Sequence, residues 1–216
     1  MSQHRVLNTP AIRRMPTYYH RLVTLQALGD EYVSTSKLAK YIGMDAIVVR
    51  KDLELTGVIG GRGIGYRISE LLASIRTYLG WDKWIRACLV GCGALGTALL
   101  GFHDFTEYGL NICEVFDSSP AKIGQEVYGR LVRDVQEMPS ILQSAHIELA
   151  VLCVPVSVAQ STATTLAENG IKMIWNFANT CLELPSDVIV QREVIAGGFA
   201  LLSRKRKEHV KSSEME

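Results

Sequence analysis

The chain has 216 residues, 48% hydrophobic and 21% charged, which is enough apolar content for a packed core and enough charge for a soluble fold. No apolar run reaches the ~18 residues of a membrane helix, and Met1 to Arg14 is basic and polar with no apolar stretch of a secretory signal, so a cytoplasmic protein is expected. The formal net charge of +1 hides an asymmetry: residues 1–86 carry 13 Lys/Arg against 7 Asp/Glu and residues 87–216 carry 10 against 15, which directs the N-terminal part toward a polyanion.

Residues 10–30 have helical apolar spacing at Leu22, Leu25 and Leu28, with Pro16 as a first-turn residue and Gly29 as the stop. Ser34, Thr35 and Ser36 offer caps for a short helix, Lys37 to Ile42, closed by Gly43. Asp45 caps a third helix running to about Leu55. Helix, glycine turn, helix is helix-turn-helix spacing. Gly57 to Gly65 then places five glycines around a lone Arg62, followed by Tyr66-Arg67-Ile68, which reads as a tight hairpin or wing. A helix from Ser69 to Leu79 leads to Gly80, and the domain boundary is expected near Trp81–Trp84.

Beyond it, apolar strand-like runs at residues 86–91, 112–117, 147–154, 172–177 and 188–190 alternate with helical stretches at 93–105, 135–144 and 156–169. Alternation of this kind predicts a parallel sheet covered on both faces. The charged tail from Arg204 to Glu216 is expected to fray. Cys88, Cys92, Cys113, Cys153 and Cys181 show neither CxxC spacing nor a paired His, so they read as buried, reduced thiols and no metal is expected.

Two sites emerge. The first strand of the second half runs into Gly91-Cys92-Gly93-Ala94-Leu95-Gly96 and then a helix, the context a dinucleotide fingerprint requires. Gly91 would allow the turn, Gly93 the approach of a pyrophosphate, and Gly96 close helix–strand packing, while the helix N-terminus offers free N–H groups. Asp117 ends the next strand, 26 residues after Gly91 against an expected ~20, and a carboxylate there favours NAD(H) over NADP(H). Val154-Pro155 and Asn176-Phe177 end later strands on the same edge, and the Asn176 amide is a candidate for a carboxamide or ribose, or simply a strand-end cap. The second site lies in the basic half. Arg50 and Lys51 would face the major groove, Arg62 a narrow minor groove, and Ser34, Thr35, Ser36 and Lys37 the phosphates. Ala46, Val48 and Tyr66 flank these groups and complete the candidate DNA-contacting set.

Nearly the whole chain resembles the Rex family of redox-sensing transcriptional repressors. The resemblance is carried by Arg50-Lys51-Asp52-Leu53, the glycine wing ending Gly63-Ile64-Gly65-Tyr66, Gly91 to Gly96, Phe116-Asp117, Lys122-Ile123-Gly124, Val154-Pro155 and Asn176-Phe177-Ala178. It implies a winged helix-turn-helix domain over 1–80, a Rossmann NAD(H)-binding domain over 81–192 with Lys122 among the cofactor-binding residues, and a swapped C-terminal helix with charged tail over 193–216. It further implies a homodimer on a palindromic operator, released by NADH. Three positions depart from the family pattern. His20, Phe102 and Val194 stand where it usually has Arg, Tyr and Asp, the residues that exchange contacts with nucleotide state. The alternatives are therefore a Rex-like DNA-binding paralogue with weak or lost NADH sensing and an NAD-dependent dehydrogenase. The dehydrogenase lacks a His on the late strand ends and room for a substrate domain, so no enzyme is expected.

Overall fold

In a computed structural model the protein is described over residues 8–213; the first half of the basic segment Met1–Arg14 read for a signal, residues 1–7, and the last three residues of the tail lie outside that range. The chain divides after Lys83 into two compact units.

The first unit comprises α1 (Thr9–Ala27), β1 (Tyr32–Val33), α2 (Thr35–Ile42), α3 (Ala46–Glu54), β2 (Tyr66–Arg67) and α4 (Ile68–Leu79). Asn8 caps α1 by accepting from the Ala11 amide at 3.4 Å, and Pro10 occupies its first turn. Pro16, read from the sequence as the first-turn proline, lies inside the helix instead. Its missing N–H costs one helical bond, which burial of its neighbours Met15, Tyr18 and Tyr19 offsets. The helix stops at Ala27 rather than residue 30, because Gly29 turns left-handed at φ +88° and the Asp30 amide folds back to Leu25 O at 3.0 Å.

Ser34 caps α2 through the Lys37 amide at 3.0 Å, Gly43 ends it at φ +66°, and Asp45 caps α3 through the Ile47 amide at 2.6 Å. The wing differs from a simple hairpin. Tyr66–Arg67 pairs antiparallel with Tyr32–Val33, a strand too short to show in the sequence, and Ile68 already begins α4. The wing closes on itself through Gly61 and Gly65, whose amides donate to each other's carbonyls at 2.7 and 3.0 Å. Gly65, at φ +90°, presses so close to the Val33 carbonyl oxygen that a Cβ would overlap it. Met15, Tyr18, Leu22 and Leu25 of α1 share a core with Leu38, Leu53, Leu71 and Ile75.

The second unit is a seven-stranded sheet of β3 (Ile85–Val90), β4 (Leu110–Asp117), β5 (Glu126–Val127), β6 (Arg130–Asp134), β7 (Leu149–Leu152), β8 (Met173–Asn176) and β9 (Ile189–Arg192). Its order is β5-β6-β4-β3-β7-β8-β9, parallel except for β5. The helices are α5 (Ala94–Leu100), α6 (Asp104–Glu107), α7 (Met138–Ala145), α8 (Val156–Glu168) and α9 (Ala196–Ser213). Alternate residues of β3 serve opposite faces. Cys88 and Val90 pack with Met138, Leu142, Ala159 and Leu166 of α7 and α8, whereas Ala87 and Leu89 pack with Leu99, Leu100 and Phe105. The sheet is thus wound on both sides.

Four expectations need correction. The β5–β6 hairpin is absent from the sequence reading because its strands are short and charged; within Arg130–Asp134 only Val132 is fully buried. The single helix expected over 93–105 breaks at Gly101, where a Cβ would stand 2.6 Å from Cζ of Tyr128. The tail, expected to fray, is helical to Ser213, aided by an Arg204–Glu208 pair one turn apart at 3.1 Å. All five cysteines are free thiols, but Cys181 is exposed rather than buried. Among the described residues no helix is long and apolar enough to cross a membrane.

Candidate nucleotide site and nucleic-acid interface

The strand order reverses between β3 and β7. The chain lays down β3, β4 and β6 in one direction, then returns to the far side of β3. Loops leaving such neighbours go to opposite faces and open a crevice at the carboxyl edge. Here that crevice is a pocket of about 650 Å³, with Gly91, Gly93, Leu95, Asp117, Lys122, Val154, Pro155 and Phe177 among its lining residues.

The glycines of the turn have different duties. Gly91 sits at φ +97°, and a Cβ there would meet the Cys153 carbonyl oxygen at 2.5 Å. A Cβ on Gly96 would overlap the Gly91 carbonyl oxygen. Gly93 faces open space, so its bare backbone adjoins the pocket. Ala94 and Leu95 begin α5, whose first-turn amides have no helical acceptor. Cys92 is buried and turns its thiol toward the Thr97 hydroxyl at 3.5 Å.

Asp117 ties this turn to the next loop. Its carboxylate accepts from the Cys92 amide at 2.8 Å, the Ser119 amide at 2.8 Å and the Lys122 ammonium at 3.2 Å. Burial pushes its pKa up, but the Ser119 amide, Lys122 and the Cys92 amide outweigh it, so the carboxyl lies below the usual range. A carboxylate offers about four acceptor positions, and Asp117 lines the pocket with one remaining. Cys153, on the same wall, is pushed up to about 12 by burial and is a neutral thiol. Asn176 corrects the reading that its amide is available to a ligand. It is fully buried, its Oδ1 accepts from the Ala178 amide at 2.9 Å and its Nδ2 donates to Thr180 O at 3.0 Å. It is the strand-end cap, and Phe177 is the residue of the pair that reaches the pocket.

In the first unit a concavity of about 380 Å³ gathers Ser34, Thr35, Ser36, Ala46, Ile47, Arg50 and the wing glycines 61, 63 and 65. Lys51 and Arg62 are exposed nearby in sequence, on α3 and the wing tip. Three expected contacts fare differently. The Lys37 ammonium is paired to Asp30 at 2.7 Å, Val48 is half-buried, and Tyr66 is buried against Gly60, where a Cβ would lie 3.1 Å from its Cζ.

The sequence reading missed two residues on α3. One is Ile47, outward-facing and detectable as the partner of Arg50 and Lys51 at i, i+3, i+4 spacing. The other is Asp52, buried and gripped by Arg14 at 2.7 and 2.8 Å and by the Tyr18 hydroxyl at 2.5 Å. Burial pushes its pKa up, but Arg14 and Tyr18 outweigh it and the carboxyl lies below its ordinary range. Burial and Asp52 hold the Tyr18 phenol up at about 12. No short-range signal links residues 38 apart, so this brace is visible only in the fold.

Of the three departures, His20 is exposed on α1 and Val194 is exposed ahead of α9. Phe102 begins an aromatic chain through Phe105, Trp175 and Phe177, with centroid spacings of 4.8, 5.6 and 4.9 Å. A carboxylate stands beside Val194 after all: Glu193 accepts from the Trp175 indole at 3.2 Å.

A doubly wound sheet with a glycine turn at its switch point, on one chain with a helix-turn-helix and wing, defines a nucleotide-binding transcription regulator. A family model described as a CoA binding domain matches residues 82–180, and one described as the N-terminus of a putative DNA-binding protein matches residues 8–54. The redox-sensing transcriptional repressor Rex of Treponema denticola is 39% identical over 202 residues, covering 94% of this chain and 96% of its own. That of Rhodopirellula baltica is 39% identical over 179 residues, covering 83% and 76%. The crystal structure of RSP, a Rex-family repressor, superposes with a TM-score of 0.85 at 30% identity, covering 97% of this chain and 98% of RSP. RSP in complex with β-NAD+ and operator DNA gives 0.85 and 30%, covering 97% of each chain. The chain belongs to the Rex family of redox-sensing transcriptional repressors, and these relatives are regulators rather than enzymes.

Proposed function

We propose that this chain is a cytoplasmic, homodimeric repressor whose N-terminal unit binds a palindromic operator, whose Rossmann unit binds NAD(H), and whose grip on DNA is released by NADH. The observation that carries the reading is the joining, in one chain, of an Asp117-braced glycine turn at a sheet switch point to an α3 that exposes Arg50 and Lys51 beside a glycine wing. The bare backbone at Gly93 and the amides of residues 94–96 fit a pyrophosphate. The carboxylate of Asp117 fits ribose hydroxyls and repels a 2′-phosphate, with Lys122 holding it in place. Leu95, Val154, Pro155 and Phe177 supply apolar walls for the rings. Ser34, Thr35 and Ser36 fit phosphates, Arg50 and Lys51 the major groove, and Arg62 the minor groove. Phe199 and Leu202, exposed on α9, fit the helix as an arm packed on a second copy.

A second reading, a DNA-binding paralogue with weak or lost NADH sensing, is favoured by His20, Phe102 and Val194. Against it stands Glu193, a carboxylate one residue from Val194 and three before α9, held by the Trp175 indole. A ligand shifts a conformational equilibrium only through contacts that differ between the states. Operator binding measured with NAD+, with NADH and with neither decides between the two. Sensing predicts that NADH weakens binding by roughly 5–150-fold relative to NAD+. Equal affinities in all three conditions establish the second reading.

A further inference from the structure

α3 shows one face to its surroundings. Ile47, Arg50, Lys51 and Glu54 recur at i, i+3, i+4 and i+7 and all four are exposed, while Val49, Asp52 and Leu53 are buried. The Arg14–Asp52–Tyr18 brace sets the rotation of the helix about its axis, so Ile47 is held outward, 57% exposed. A lone surface isoleucine is ordinary. This one lies in the concavity it shares with Ala46, Arg50, the hydroxyls of Ser34 to Ser36 and the wing glycines, and apart from the half-buried Ala46 methyl these are polar groups or bare backbone. Its own amide is committed to Asp45. It therefore offers that surface only an aliphatic side chain with no donor or acceptor.

In the major groove the apolar feature of a base edge is the C5-methyl group of thymine. We infer that Ile47 is a specificity-determining residue that reads a thymine methyl beside the base pair met by Arg50. Three residues of helix advance about 4.5 Å, against about 3.4 Å between successive base pairs, so the two side chains reach neighbouring pairs. This rests on the reading of the first unit as operator-binding.

The full-length protein is used to select a duplex from a randomised double-stranded library. Each thymine of that duplex is then replaced singly by uracil, which removes the methyl and keeps every hydrogen-bonding group. Binding of each duplex is measured for wild type, Ile47→Ala and Ile47→Val. At one thymine per half-site, next to a pair whose identity Arg50→Ala ceases to distinguish, uracil weakens the wild type about fourfold, the worth of roughly one buried methyl group. Ile47→Ala binds the thymine and uracil duplexes alike, and Ile47→Val keeps part of the preference. Thermal unfolding of Ile47→Ala matches wild type, because the side chain is on the surface. A wild type indifferent to uracil at every thymine, or an Ile47→Ala that retains the full preference, overturns the inference and leaves operator binding standing. Failure of the selection to yield any bound duplex overturns both.

Discussion

Each unit holds its working element with a buried carboxylate, and the two are used differently. Asp52 is held by side chains, a two-pronged Arg14 and the Tyr18 phenol, drawn from a helix more than 30 residues away. Asp117 is held by two backbone amides and one ammonium, all local to the turn and the loop it joins, and it stays on the pocket wall. The first arrangement is only 3% exposed and serves to orient α3. The second keeps its remaining acceptor position on a pocket wall. A carboxylate closed off by long side chains is an architectural part, whereas one propped by main chain at a pocket edge remains able to bind.

The largest effect that would sharpen this contrast is expected from Asp52→Asn. It leaves the Arg14 charge without its partner and should lower the stability of the first unit by about 2–4 kcal/mol, below the fully buried case because Arg14 is partly solvated. Urea unfolding followed through that unit, together with operator binding, measures it; nucleotide binding should be unchanged. The same pair gives a pH dependence. The Asp52 carboxyl is lowered in the fold, so its contribution is present above the unfolded carboxyl pKa of ~3.9 and is lost as pH falls through the lower folded value. The wild type should lose stability below about pH 4, and Asp52→Asn should flatten that loss.

Asp117→Asn comes next and should act on the ligand rather than the fold. Loss of charged acceptor bonds should weaken NADH about 10- to 100-fold in a fluorescence titration, with unfolding of the first unit untouched. An equal fall in stability of both units would break the comparison. Gly96→Ala forces a Cβ into the Gly91 carbonyl and should cost roughly 1–3 kcal/mol in thermal unfolding of the second unit, with loss of nucleotide affinity. The smallest effects concern exposed cations. Arg62→Ala should cost about 1 kcal/mol, mainly on A·T-rich duplexes. Lys37→Ala should change the salt slope of binding by less than about 1, because Asp30 already holds that ammonium.

Most of the helix ends were legible because they depend on residues close in sequence. Ser34, Asp45, Gly43 and Gly80 terminate helices through bonds or left-handed turns within a few residues. The glycine turn at 91–96 was legible for the same reason, and Asp117 through its expected spacing from that turn. Tyr66 and Asn176 were misjudged because polar side chains look alike in a sequence whether they face a ligand or a neighbouring backbone. Only packing shows that Tyr66 lies under Gly60 and that both ends of the Asn176 amide are occupied.

Composition, periodicity and local capping by themselves determined a basic helical unit followed by an alternating α/β unit, and they located both candidate sites. The tertiary structure alone decided which face of α3 points outward, where Tyr66–Arg67 pairs, and which of two buried aspartates retains room for a ligand. The reason is range: caps and turns are settled by bonds spanning a few residues, whereas the Arg14–Asp52 brace, the β1–β2 pairing and the Cys92–Asp117 bond join residues 25 or more apart and exist only once the chain has packed.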